Sequence, residues 1–170
     1  MNPSLFFLFS LPVIGGLGLF FLGRQDNLRK NLSLVIFLLS LCSSVYLLFR
    51  PEVSWSGHIF SGYTLTLGLG KLSRLILFSA NLLSALICLY SKDYMPAKRG
   101  YCSWLLWLLA FSNLQILATD FVSFAFSWAG SIFILYALLN PGSRSNAKRA
   151  ATILGFCCLC FIIGAYIYCR

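Results

Sequence analysis

Six apolar stretches, each close to twenty residues long and almost free of charge, set the terms on which this chain can fold. They run over about 4–22, 32–49, 72–91, 102–118, 121–139 and 149–169. A helix of about 20 residues spans the roughly 30 Å of hydrocarbon in a bilayer. Inside lipid a single segment satisfies its own backbone only as a helix. Composition agrees, since 59% hydrophobic residues, 10% charged residues and a mean hydropathy of +0.86 lie far from the balance of a water-soluble domain. The sequence therefore predicts an all-α membrane protein, a single transmembrane domain over 1–170 with six spans. The first stretch resembles a secretion signal in length, but its basic neighbours Arg24, Arg29 and Lys30 follow it rather than precede it. It is expected to be a retained first span.

The net charge of +9 would suit a nucleic-acid partner if the basic residues formed a stripe. They sit instead in short connections between apolar runs, so no nucleic acid is expected and the bilayer is the expected surroundings. Arg24, Arg29, Lys30, Lys92, Lys98, Arg99, Arg144, Lys148 and Arg149 fall in the connections 23–31, 91–100 and 140–149, whereas Arg50, Lys71, Arg74 and Arg170 fall on the other side. The excess of Lys and Arg on cytoplasmic loops then predicts both termini outside; the membrane is expected to be a prokaryotic cytoplasmic one.

Only the connection 50–71, RPEVSWSGHIFSGYTLTLGLGK, exceeds about ten residues. The alternation of Tyr63, Leu65, Leu67 and Leu69 between Ser-Gly pairs predicts a short β-hairpin on the outer surface, between the second and third helices. His58 lies within it and is expected to be solvated. The cysteines Cys42, Cys88, Cys102, Cys157, Cys158 and Cys160 lie in or at apolar helices, with Cys169 at the tail. They are expected to be small packing residues. Cys157, Cys158 and Cys160 point to different faces of one helix, so their spacing alone cannot bring three ligands to one metal. No metal and no cofactor are expected.

Charged groups within a membrane helix usually mark ion paths. The four acids, Asp26, Glu52, Asp93 and Asp120, all lie at span ends or in connections, as do the thirteen Lys and Arg residues. At depth the polar residues are neutral: Asn81, Asn113, Gln115, Tyr136 and the serines of the fifth run. Such groups more often join helices than line a water path. Ser123, Ser127 and Ser131 recur every fourth residue beside Gly130, a spacing that lets two helices approach closely, and the expected role of this face is packing. Asp120 is expected to cap the fifth helix.

The stretch 65–95, LTLGLGKLSRLILFSANLLSALICLYSKDYM, resembles the third helix of the antiporter-like membrane subunits shared by respiratory complex I, membrane-bound hydrogenases and Mrp-type cation/proton antiporters. That helix opens with a pattern like L-x-L-D-G-L-S and closes with Y-S-x-x-Y-M. Here Leu67, Leu69, Leu72 and Ser73 keep the frame of the opening, and Tyr90, Ser91, Tyr94 and Met95 keep the close, while Gly70-Lys71 replaces the Asp-Gly. Ala118-Thr119-Asp120 followed by FVSFAFSW is similar to the family's A-x-D leading into an aromatic helix that ends in F-W-E, with a tyrosine seven positions beyond the glutamate. Trp128 and Tyr136 keep that spacing. A weaker likeness lies in the basic, alanine-containing start of the sixth run, NAKRAATILGF.

In this resemblance Ala129 stands where the family has its membrane glutamate, and the broken seventh helix with the family's central lysine has no counterpart in the chain. The resemblance thus implies a truncated, non-pumping relative: a structural or accessory subunit, not itself catalytic, of a redox-driven ion-translocating complex of the complex I or hydrogenase type. Its implied partners are the other membrane subunits of that respiratory complex. Two alternatives stay open. The chain could supply half of a proton or sodium path completed by a neighbour, with Lys71, Asp93 or Asp120 at its mouths. Or it could be an unrelated small transporter or assembly factor.

Overall fold

The computed structural model describes residues 3–21, 26–50, 53–60, 63–94, 100–140 and 144–168. It contains the helices α1 (Pro3–Phe21), α2 (Asp26–Leu48), α3 (Lys71–Tyr94), α4 (Tyr101–Leu117), α5 (Phe121–Leu139) and α6 (Arg144–Tyr168), with strands β1 (Val53–Phe60) and β2 (Tyr63–Leu69) between α2 and α3. The protein is an all-α membrane protein with an antiparallel hairpin. Among the described residues four stretches are long and apolar enough to cross a membrane: Leu28–Leu48, Lys71–Ser91, Phe121–Leu139 and Arg144–Gly164. The apolar parts of α1 and α4 are shorter, Leu5–Phe21 and Tyr101–Leu117.

The helices outrun the apolar stretches where the flanking residues are polar helix formers. The apolar run of the second span starts near 32 but α2 starts at Asp26, and that of the sixth starts near 149 but α6 starts at Arg144. Hydropathy reports what lies in hydrocarbon, whereas backbone bonding continues into the interface for as long as propensity allows.

Helix α4 is the hub, packing on α1, α2, α3 and α5, while α5 carries α6 on its far side. Two apolar clusters fill the α1–α4 bundle. One lies at the hairpin end and joins Leu5, Leu8, Leu47, Leu77, Leu114 and Leu117 to Leu67 and Leu69 of β2. The other, further down, joins Leu19, Ile36, Phe37, Leu105, Leu106 and Leu109 to Cys88. Between them in sequence lies a buried polar chain. Ser40 Oγ of α2 donates to Asn81 Oδ1 of α3 at 2.6 Å, Asn81 Nδ2 donates to Asn113 Oδ1 of α4 at 2.9 Å, and Asn113 Nδ2 donates to the Leu8 carbonyl of α1 at 3.3 Å. Asn81 Nδ2 also donates to its own helix at Leu77 O, 2.8 Å away. Ser40 and Asn113 are 0% exposed and Asn81 is 1% exposed, so this link between four helices is sealed from solvent and lipid.

Close approach of the helices depends on small residues. A Cβ at Gly16 would run into the indole of Trp107, whose Nε1 donates to the Val13 carbonyl at 3.4 Å. A Cβ at Gly130 would run into the ring of Phe111, so this glycine lets α5 lie close against α4. Ser123 and Ser127 are buried, and Ser131 is half-buried. The Ser127 hydroxyl bonds only within its own helix, to Ser123 O and Phe124 O at 2.9 Å each, and Ser131 Oγ donates to Ser127 O at 3.0 Å. On the opposite side of α5, Phe121, Phe124 and Trp128 gather round Phe161 of α6 with ring centroids 5.2–5.4 Å apart. The pairing of Phe121 with Phe161 sets α6 antiparallel to α5 and brings its last turns to the hairpin end, where α1 begins.

Among the described cysteines only Cys88 and Cys158 are buried; Cys42, Cys157 and Cys160 lie on the outer surface and fill no gap within the chain. Cys169 lies outside the described residues.

Two variants test these contacts. Asn81→Ala should destabilise the fold by about 1–3 kcal/mol, because it strands Ser40 Oγ and Asn113 Oδ1 in the interior. Ser79→Ala, whose hydroxyl bonds only to Leu75 O of its own helix and faces outward, should change little; unfolding in mixed micelles compares the two. Ser127→Leu should cost roughly 1–3 kcal/mol by forcing α4 and α5 apart. Ser127→Ala removes no bond between helices and should stay near the average of about 0.6 kcal/mol measured for membrane hydrogen bonds. A larger loss in the alanine variant would make the hydroxyl, not its small size, the element that matters.

Candidate functional site at the hairpin end

The richest polar contacts among the described residues lie where the hairpin meets the link between α4 and α5. The strands pair from Val53↔Leu69 through Trp55↔Leu67 to His58↔Thr64, with an irregularity between His58 and Phe60. Leu67 and Leu69 face the core at 5% and 2% exposure, so alternation turns Thr66 and Gly68 to the opposite face. The link passes beside that strand: Leu67 forms an antiparallel bridge with Ala118, and the Thr119 amide donates to Thr66 O at 3.2 Å. A side chain at Gly68 would strike the Thr119 methyl, which explains a glycine in this register. The Thr119 hydroxyl sits 2.8 Å from both the carbonyl and the hydroxyl oxygen of Thr66.

Asp120 completes the junction. Its extended backbone precedes α5, and its carboxylate accepts from Ser123 N at 2.7 Å and Ser123 Oγ at 2.8 Å. This is an N-cap, with a negative charge at the positive end of the helix. The same carboxylate accepts from Thr66 N at 3.2 Å and Thr66 Oγ1 at 3.3 Å. One side chain therefore caps α5 and ties it to the hairpin. Nearby, Arg74 of α3 donates to carbonyls at the end of α2, those of Leu48 at 3.4 Å and of Arg50, and to Gly70 at 3.3 Å. The Leu48 and Arg50 carbonyls stand at and just past the end of α2, where helix carbonyls lack intrahelical donors, so Arg74 closes the C-terminus of α2. An open cleft of about 310 Å³ lies between β2, the link and the start of α3, lined by Ser54, Gly68, Gly70, Ser73 and Thr119 among others. Among the described residues its lining holds hydroxyls, backbone and apolar groups and no ionisable side chain.

The three residues named from sequence as mouths of an ion path do not converge. Lys71 opens α3, exposed, and Asp93 belongs to the opposite end of the same helix. Twenty-two residues at a rise of about 1.5 Å put them roughly 33 Å apart. The side chain of Asp93 lies outside the described residues, as do those of Asp26 and His58 and all of Glu52. Asp120 stands at the Lys71 end, but its described bonds go to Thr66 and Ser123. Ala129 lies on an exposed face of α5 with Val122, Phe126 and Phe133. Among the described residues no three of His, Cys, Asp and Glu come together to hold a metal. Every buried side-chain nitrogen or oxygen among them has a hydrogen-bond partner. Sequence reasoning missed Ser40, Thr66 and Arg74. Ser40 and Thr66 carry no local signal, because their roles come from partners 41 and 54 residues away.

No protein-family model matches the chain, and no curated protein does. Among solved structures, the fold is similar to a chain in the membrane-bound sulfane sulfur reductase, an archaeal respiratory membrane complex. The superposition has a TM-score of 0.74 at 23% sequence identity and covers 85% of this chain and 24% of that one. The chain therefore spans about a quarter of the length of the chain it matches, and at this identity the likeness is one of fold.

Proposed function

We propose that this protein is a structural subunit of a redox-driven, ion-translocating membrane complex of the kind built from antiporter-like subunits. It packs against neighbouring membrane subunits and seals the membrane arm without itself moving ions. Its partners on this reading are other membrane subunits of a respiratory complex. The observation that carries the non-pumping part is the closed polar accounting of the interior. Asn81, Asn113 and Ser40 spend their hydrogen-bonding atoms on one another, on Leu77 and on Leu8, and no buried side-chain polar atom among the described residues is left over. A proton or cation crossing at depth needs an ionisable or unclaimed polar group on which to pause. The motif resemblance in residues 65–95 and 118–136 and the fold likeness to a chain of an archaeal respiratory complex support the type of assembly. The serine and glycine face of α5, Ser123, Ser127, Gly130 and Ser131, acts in packing on this reading, and Lys71, Asp93 and Asp120 carry no ions.

The test uses the native assembly reconstituted in vesicles, with ion uptake and redox turnover measured together. Asp120→Asn keeps an acceptor for the cap and for Thr66 while removing the charge, and it should leave the ions moved per electron unchanged. A drop at preserved turnover and subunit content would place Asp120 on a shared path. Asp120→Ala should instead lower stability by about 0.5–2 kcal/mol through loss of the cap.

The proposed orientation places both termini and the hairpin outside, with the basic connections in the cytoplasm. Single cysteines introduced by Lys71→Cys and Ser145→Cys, in a background without the native thiols, should be labelled from opposite faces of sealed vesicles, with Ser145→Cys reached from the cytoplasmic face. Labelling of both from one face would overturn the topology.

A further inference from the structure

The first turns of α6 combine features that no contact among the described residues uses. Arg144, Lys148 and Arg149 are exposed, and none of the three has an ion-pair partner among the described residues. The helix has no acidic residue in its first turn. Cations at this end oppose the helix dipole, and Arg144 and Lys148, four apart, repel one another. The turn is nevertheless held in place, because Ala147 between them is fully buried. A fixed cluster of positive charge, with no ion-pair partner among the described residues, is thus presented at the end of a membrane span.

Below it the helix surface is apolar and open. Arg149, Ile153, Phe156, Ile163 and Ile167 recur at helical spacing on one face, and the four apolar side chains are 57–69% exposed. Lys148, Thr152 and Leu159 form a row beside it. Side chains lean towards the start of a helix, so Lys148 and Arg149 reach away from the bilayer centre to headgroup level. The rise from Arg149 to Leu159 is about 15 Å, the depth of one leaflet's hydrocarbon.

We infer that the basic first turns of α6 and the apolar face beneath them form a binding site for an anionic phospholipid, its phosphate held by Arg144, Lys148 and Arg149 and its acyl chains lying along Ile153, Phe156 and Leu159. Charge complementarity selects the occupant. A phosphate places negative charge beside three cations and at the positive end of the helix dipole, and the acyl chains of the same molecule cover the apolar face below. The inference stands apart from the proposed redox assembly, since it requires only that α6 span a bilayer.

The test is the phospholipid retained by the full chain, with whatever subunits accompany it, after extraction in mild detergent. It is followed by titration with vesicles of phosphatidylglycerol or of phosphatidylcholine. The wild type should retain anionic over zwitterionic lipid. Lys148→Gln and Arg149→Gln should each weaken binding about fivefold, and the triple variant with Arg144→Gln by two orders of magnitude. Arg149→Lys should bind nearly as well as the wild type, and Lys71→Gln, an equal change of charge at the opposite end, should have no effect. No preference for anionic lipid in the wild type would overturn the site, and that measurement needs no variant to fold. So would an equal loss in Lys71→Gln, which would mean bulk attraction. Competition by inorganic phosphate alone as strong as that by vesicles would replace the lipid with a free anion, and capture of an acidic subunit in place of lipid would make the face a protein interface.

Discussion

In hydrocarbon an amide without a partner is costly, and a helix bundle in lipid has no water to supply one. The chain Ser40–Asn81–Asn113–Leu8 turns that constraint into architecture. Each asparagine brings donors and acceptors that its own helix cannot fully satisfy, so α1, α2, α3 and α4 reach their lowest energy only in the arrangement that lets all of them pair. Leucines on either side of this layer tolerate sliding; amides with fixed geometry do not. The two apolar clusters supply contact area, and the amide layer supplies register.

Outside that bundle the structure is joined by different means. Helix α5 meets α4 through small residues, with Phe111 seated on Gly130, and meets α6 through rings around Phe161. Its direction is set at one end by Asp120, which caps it and holds the hairpin through Thr66. The hairpin is thus more than a connection. Its inner leucines plug the top of the bundle while its outer edge borders the α4–α5 link. On the proposed reading, the polar groups of the interior hold helices together.

Much of the fold was legible in the chain. The six helices fall where the apolar runs lie, and the hairpin falls where Tyr63, Leu65, Leu67 and Leu69 alternate, because both patterns are local and strong. Helix ends were less legible: Asp26 and Arg144 begin helices several residues before hydrophobicity rises, since hydropathy does not measure backbone bonding. Asn81 and Asn113 stood out as polar residues at depth, but not their pairing, which depends on rotation of α3 against α4. The α5 face was legible as small residues at a four-residue spacing; that Phe111 is what fills it was not. The outward position of Cys157 and Cys160 ran against the expectation of packing, because a thiol on a lipid-facing surface incurs little penalty.

The sequence by itself determined that the chain belongs in a bilayer, where its apolar helices run, that a hairpin separates the second from the third, and that Lys, Arg, Asp and Glu keep to the ends, because these follow from transfer energies read residue by residue. Only the tertiary structure decided which helices touch, that the interior amides satisfy one another, that Asp120 serves α5 and the hairpin together, and that the basic turn of α6 stands exposed above an open apolar face. Those facts depend on partners tens of residues apart, and hydrogen-bond geometry and close packing become defined only when the helices are set side by side.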